Sequence, residues 1–98
     1  MDLQLSNKVV IVTGASEGIG RAAAERFSQE GALVALAART QNDLDNVAND
    51  IASTSGNAVI GIATDVRKEE SVKALIEAVV KKWGKIDVLV NNLSLIHI

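Results

Sequence analysis

Thr13-Gly14-Ala15-Ser16-Glu17-Gly18-Ile19-Gly20-Arg21 is the stretch of this chain whose residue types and spacing are best suited to chemistry. Gly14 can take a tight turn that a Cβ would hinder, Gly18 lets the backbone come close to a diphosphate, and Gly20 allows the following helix to pack tightly. A helix opened by such a turn presents unpaired N–H groups and a partial positive charge to phosphates. The same glycines would also serve a plain strand-to-helix turn with no ligand. Their context favours a nucleotide, because the turn follows a buried-type strand and opens a helix within a βαβ unit. The other common phosphate loop needs Lys and Ser or Thr directly after a glycine five residues downstream. Gly14 is followed at that distance by Ile19, so that loop is excluded.

Three further positions fall at the ends of apolar runs. After Ala37 and Ala38 stands Arg39, where a carboxylate would grip the ribose 2′-hydroxyl of NAD. A guanidinium there pairs instead with the 2′-phosphate of NADP, so Arg39 points to NADP over NAD unless it is a solvated loop arginine. Glu17 is a contrary sign, since its charge would lie near the phosphate path unless it faces solvent. Asp65 can accept a hydrogen bond from an adenine amino group while Val66 packs on the ring, or Asp65 can cap a helix. Asn91 and Asn92 can bond backbone and ribose together, or serve ordinary turn chemistry.

The elements that hold these residues are readable from periodicity. Continuous apolar runs over Lys8–Thr13, Leu33–Ala38, Ala58–Ala63 and Ile86–Val90 predict strands buried on both faces. Leu44, Val47, Ala48 and Ile51 make one helical stripe, and Val72, Leu75, Ile76, Val79, Val80 and Trp83 make another. A weaker helix over Ile19–Glu30 takes Ile19, Ala23 and Phe27 as its stripe. Thr40 with Asp43 predicts a capping box for the second helix. Asp65 is expected to cap the third, for which Arg67 would be a poor cap. Glu69 and Glu70 suit the first turn of that helix, and Gly31, Gly56 and Gly84 suit the left-handed position after a helix. The order β-α-β-α-β-α-β implies an α/β, doubly wound parallel sheet with strand order 3-2-1-4. Its first two helices should share one face, with the third on the other.

Composition narrows the partners. The 98 residues carry ten Lys and Arg against twelve Asp and Glu, a net charge of −2, which argues against an electrostatic nucleic-acid binder or a polybasic membrane anchor. No Cys is present, so disulfides, thiolate metal sites and a Cys nucleophile are excluded. One histidine, His97, cannot build a multi-histidine metal site. No Tyr is present either, so chemistry that needs a phenol must draw on another chain or another residue. Met1-Asp2-Leu3 lacks the basic start of a signal peptide, no apolar run approaches membrane-span length, and a reducing, cytoplasmic setting is expected.

Over residues 6 to 92 the chain resembles the classical short-chain dehydrogenase/reductase family. The glycine turn matches its Thr-Gly-x-x-x-Gly-x-Gly motif, Asp65-Val66 its adenine-contacting pair, and Ile86 to Asn92 the strand carrying its Asn-Asn-Ala-Gly motif. The resemblance implies hydride transfer between NAD(P)H and a carbonyl or alcohol, cofactor contacts from Ser16 and Ile19, NADP selection by Arg39, and a homo-oligomeric full-length product. The match breaks at Leu93-Ser94, where the family has Ala-Gly, and Leu93 to Ile98 reads as an aberrant tail. In the family a Ser, a Tyr and a Lys four residues after it, aided by an Asn, carry catalysis beyond this point. No catalytic residue is therefore carried over. The chain is expected to be the N-terminal half (residues 1–92) of an incomplete Rossmann domain, inactive alone, with an exposed apolar edge prone to aggregation. The alternatives are a non-catalytic nucleotide-binding module and an inert truncated fragment.

Overall fold

The computed structural model describes residues 5–15 and 18–91. In chain order the elements are β1 (Val9–Thr13), α1 (Gly18–Gln29), β2 (Leu33–Ala38), α2 (Gln41–Ser55), β3 (Val59–Ala63), α3 (Glu69–Trp83) and β4 (Val88–Asn91). The strands form one parallel sheet in the order β3-β2-β1-β4, as right-handed crossovers require. Val10 stands beside Val34 and Val88, and Ala38 beside Ala63.

β1 is buried along its whole length because it lies inside the sheet with helices on both faces. Val10, Val12, Val34 and Leu36 face α1 and α2, whereas Val9, Ile11, Ala35 and Ala37 face α3. The stripe of α2 is the expected one, with Leu44, Val47, Ala48 and Ile51 all buried. Its approach to β3 is close: a Cβ on Gly61 would come within 2.8 Å of Leu44 Cβ and 3.2 Å of its backbone.

α1 corrects its expectation. Its buried residues are Gly20, Ala24 and Ser28, a row of small side chains one helical turn apart, with Phe27 packed partly against the core. Small residues let the helix axis sit close to the sheet. Ile19 is turned away and is 74% exposed. In α3 only Leu75 and Val79 of the expected stripe are fully buried, and Ile76 and Val80 remain exposed, because no second helix lies beside α3 among the described residues.

The helix ends obey the glycine reading, with φ of 96° at Gly31, 77° at Gly56 and 82° at Gly84. The expected caps are corrected. Thr40 occupies the N-cap of α2 in extended conformation but its side chain makes no capping bond. The N-cap of α3 is Lys68, also without a side-chain bond. Asp65 stops short of the helix, because its carboxylate accepts the Arg67 N–H at 3.0 Å and closes a tight turn instead. β4 starts later than Ile86. The Asp87 carboxylate takes the Val9 N–H at 2.8 Å while the Asp87 N–H donates to the Val9 carbonyl, so a side chain opens the ladder.

Candidate functional site

Four parallel strands end on one edge of the sheet, and this edge gathers the chemistry-bearing residues. Gly14 follows β1, Arg39 follows β2, Asp65 and Val66 come just after β3, and Asn91 closes β4. Ligands in open parallel sheets sit outside this carboxyl edge.

The glycine turn is built from backbone. Gly14 and Gly18 both have φ of 63°, a left-handed conformation that a side chain would strain. The Gly14 N–H donates to the Ala37 carbonyl at 2.8 Å, which fastens the turn to the end of β2. Among the described residues, its chain neighbours aside, a Cβ on Gly18 would meet no atom within 4 Å. Gly20 is buried, where α1 crosses the sheet. No acidic residue stands in the first turn of α1, so its N-terminal dipole is not offset by a carboxylate of that turn. Ile19 is exposed on that same first turn. Ser16, Glu17 and Asn92 lie outside the described residues.

At β3 the Thr64 N–H donates to the Ala38 carbonyl at 2.7 Å, which sets the ends of β2 and β3 side by side. Asp65 is held in a two-pronged pair with Arg67: Nε to Oδ1 at 3.0 Å and Nη2 to Oδ2 at 3.1 Å. These bonds, and the Arg67 N–H, hold the carboxyl down at about 2. A carboxylate has about four acceptor positions. Oδ1 takes two bonds and Oδ2 one, so Oδ2 retains capacity for a further donor. Arg39 is exposed and makes no ion pair among the described residues. Asp65-Val66 and Arg39 are thus brought to adjoining strand ends.

Asn91 stands in register with Thr13. The Thr13 hydroxyl lies 3.2 Å from Asn91 Oδ1 and 3.3 Å from the Val90 carbonyl. The sequence places Thr13 at the start of the glycine segment and at the end of β1, but does not show that its hydroxyl reaches across to β4. The one sign of that reach is a hydroxyl ending an otherwise apolar run. Arg67, a poor helix cap, stands two residues after Asp65, a spacing that suits a turn closed by an ion pair. Among the described residues, no group of three or more His, Asp or Glu is placed to hold a metal.

A family model described as short chain dehydrogenase matches residues 8–97. The chain belongs to the short-chain dehydrogenase family. It is 42% identical over all 98 residues to the uncharacterized oxidoreductase YvrD of Bacillus subtilis, and covers 36% of that protein. It is 44% identical over 89 residues to the 7alpha-hydroxysteroid dehydrogenase of Clostridium sardiniense, covering 91% of this chain and 34% of the relative. Among solved structures, L-sorbose reductase from Gluconobacter frateurii complexed with NADPH and L-sorbose superposes with a TM-score of 0.92 at 41% identity, over 96% of this chain and 36% of that one. The chain therefore spans about a third of the length of the short-chain dehydrogenases it matches. Its four-stranded sheet is a partial Rossmann fold shared with them.

Proposed function

We propose that residues 1–92 are the NADP-binding half of a Rossmann domain, in a short-chain dehydrogenase that moves hydride between NAD(P)H and a carbonyl or alcohol. The observation that carries this reading is the glycine turn at the carboxyl edge, with two left-handed glycines leading into a helix whose first turn bears no acid. Gly14, Gly18 and Gly20, with Ser16, Glu17 and Ile19 of the same loop, would hold the diphosphate. The exposed Arg39 guanidinium would pair with the 2′-phosphate. Oδ2 of Asp65 would accept from the adenine amino group while Val66 packs on the ring. Asn91, oriented by Thr13, and Asn92 would reach the ribose. The NADPH complex of the related L-sorbose reductase supports the phosphorylated dinucleotide as the ligand. When bound, that dinucleotide would supply or accept the hydride.

Protonating the carbonyl oxygen as hydride arrives needs a general acid. The resemblance assigns that work to a Tyr, and this sequence has none. By itself the chain binds without turning over. The full-length product is proposed to be a homo-oligomer.

Titrating the 98-residue chain with NADPH and with NADH, by cofactor fluorescence and calorimetry, tests the reading. Saturable binding is expected, tighter for NADPH. Arg39→Ala should weaken NADPH by about 10- to 100-fold, the worth of charge-assisted bonds, and leave NADH nearly unchanged. Gly18→Ala should weaken both. Absence of saturable binding at millimolar cofactor refutes the reading. Ketone-dependent oxidation of NADPH by this chain would overturn the claim that it is inactive alone.

A further inference from the structure

Asp65 presents a difficulty for a site that accepts NADP. A carboxylate at the end of β3 lies beside the end of β2, where Arg39 stands, because the Thr64 N–H bonds the Ala38 carbonyl at 2.7 Å. The backbones of neighbouring strands run ~4.8 Å apart, so Asp65, two residues past β3, and Arg39, one residue past β2, stand on adjoining strand ends, and charges there act on an anion held within the ~8 Å screening length of physiological salt. An uncompensated negative charge there would repel a 2′-phosphate that carries up to two of its own.

Arg67 is placed to remove that charge. Its guanidinium engages both carboxylate oxygens of Asp65, at 3.0 and 3.1 Å, while the side chain stays 71% exposed. An exposed ion pair adds little to folding, so this one needs another reason to be geometrically complete. Arg39, by contrast, keeps its charge uncommitted among the described residues. The two arginines thus divide the work, one neutralising the carboxylate and one left open to an anion.

We propose that Arg67 is a specificity-determining residue, which cancels the Asp65 charge beside Arg39 and so admits the 2′-phosphate of NADP to this edge. The proposal rests on the reading of the edge as a dinucleotide site. It assigns Arg67 no direct contact with the phosphate. Asp65 then serves both cofactors equally through adenine, and the charge balance around it decides between them.

The test uses the 98-residue chain and the ratio of NADPH to NADH dissociation constants, which cancels any change common to both dinucleotides. Arg67→Met keeps the apolar stem and removes the charge. It should weaken NADPH relative to NADH by about five- to tenfold, as expected for one unit charge acting on a phosphate dianion across a partly screened gap. In the same variant the Asp65 carboxyl, followed by carbon NMR, should titrate higher than its wild-type value of about 2. Asp65→Asn added to Arg67→Met should restore the wild-type ratio. Arg67→Lys, which keeps the charge and guards against a misfolded Met variant, should lie close to wild type. An unchanged ratio in Arg67→Met overturns the proposal alone. So does a double variant that stays weak for NADPH, since Arg67 would then touch the phosphate itself. A wild-type chain that binds neither dinucleotide overturns the site reading, and this proposal with it.

Discussion

Asp87 shows how one side chain can do the work of a strand residue. Its carboxylate accepts the Val9 N–H at 2.8 Å and stands 3.1 Å from Lys85 Nζ, and its own N–H returns to the Val9 carbonyl. The bond from the Val9 N–H, followed by Lys85, pulls the Asp87 carboxyl below the ordinary carboxylate range. A folded-state value lower than the unfolded one means stability that is present above about pH 4 and lost as pH falls towards the folded value. Asp87→Asn should therefore lower Tm at neutral pH and flatten its fall between about pH 5 and 2. Circular dichroism melts across that range check this, and a variant with the wild-type slope would show that Asp87 does not govern acid stability.

Packing of α2 on β3 turns on one missing Cβ. Gly61 lies under Leu44, and a methyl there would meet Leu44 Cβ at 2.8 Å and its backbone at 3.2 Å. Because Leu44 is fully buried and part of the obstacle is main chain, relief requires the helix to shift. Gly61→Ala should destabilise by roughly 1–3 kcal/mol, measurable by urea unfolding, whereas Gly56→Ala should reflect backbone strain alone. Such contacts separate what could be read in the sequence from what could not. The α2 stripe, the parallel order and the glycines after each helix follow from local periodicity and backbone preference. The close approach of α1 at Gly20 was readable from the glycine spacing, but the rest of its buried face was not, because Ala24 and Ser28 face the sheet by being small and the apolar stripe of Ile19, Ala23 and Phe27 is not the fully buried row. Nor were the Asp65–Arg67 pair and the bond from Thr13 to Asn91, which depend on how a turn closes and how two strands register. That Gly14, Arg39 and Asp65-Val66 stand at one edge of the sheet was readable, because each follows a run whose strand direction places it there.

The two edges of the sheet are finished differently, and that difference bears on how whole molecules meet. On β3 the side chain of Gln41 lies along the outer edge. Its amide nitrogen donates to the Gly61 carbonyl and its oxygen accepts the Ala63 N–H, both at 3.0 Å, so two outward backbone groups already have partners. On β4 the described residues supply no second strand, and Leu89 is 60% exposed. Beside it a groove of about 360 Å³ runs between β4 and α3, lined by Ile11, Leu75, Ile76, Ile86 and Leu89, with Val66 and Asn91 at the site end. An apolar strand edge next to an apolar groove invites pairing with another chain, whereas an edge already bonded by a side chain does not. The 98-residue chain should therefore associate as its concentration rises, with sedimentation velocity showing species larger than the monomer. Leu89→Lys places a charge on the exposed position at little cost in packing and should move the chain towards monomer. Gln41→Ala frees the Gly61 and Ala63 groups on the opposite edge and should increase association. If Leu89→Lys sediments as the wild type does while Gln41→Ala alone alters the distribution, chains meet through β3, and the groove beside β4 plays no part in holding them together.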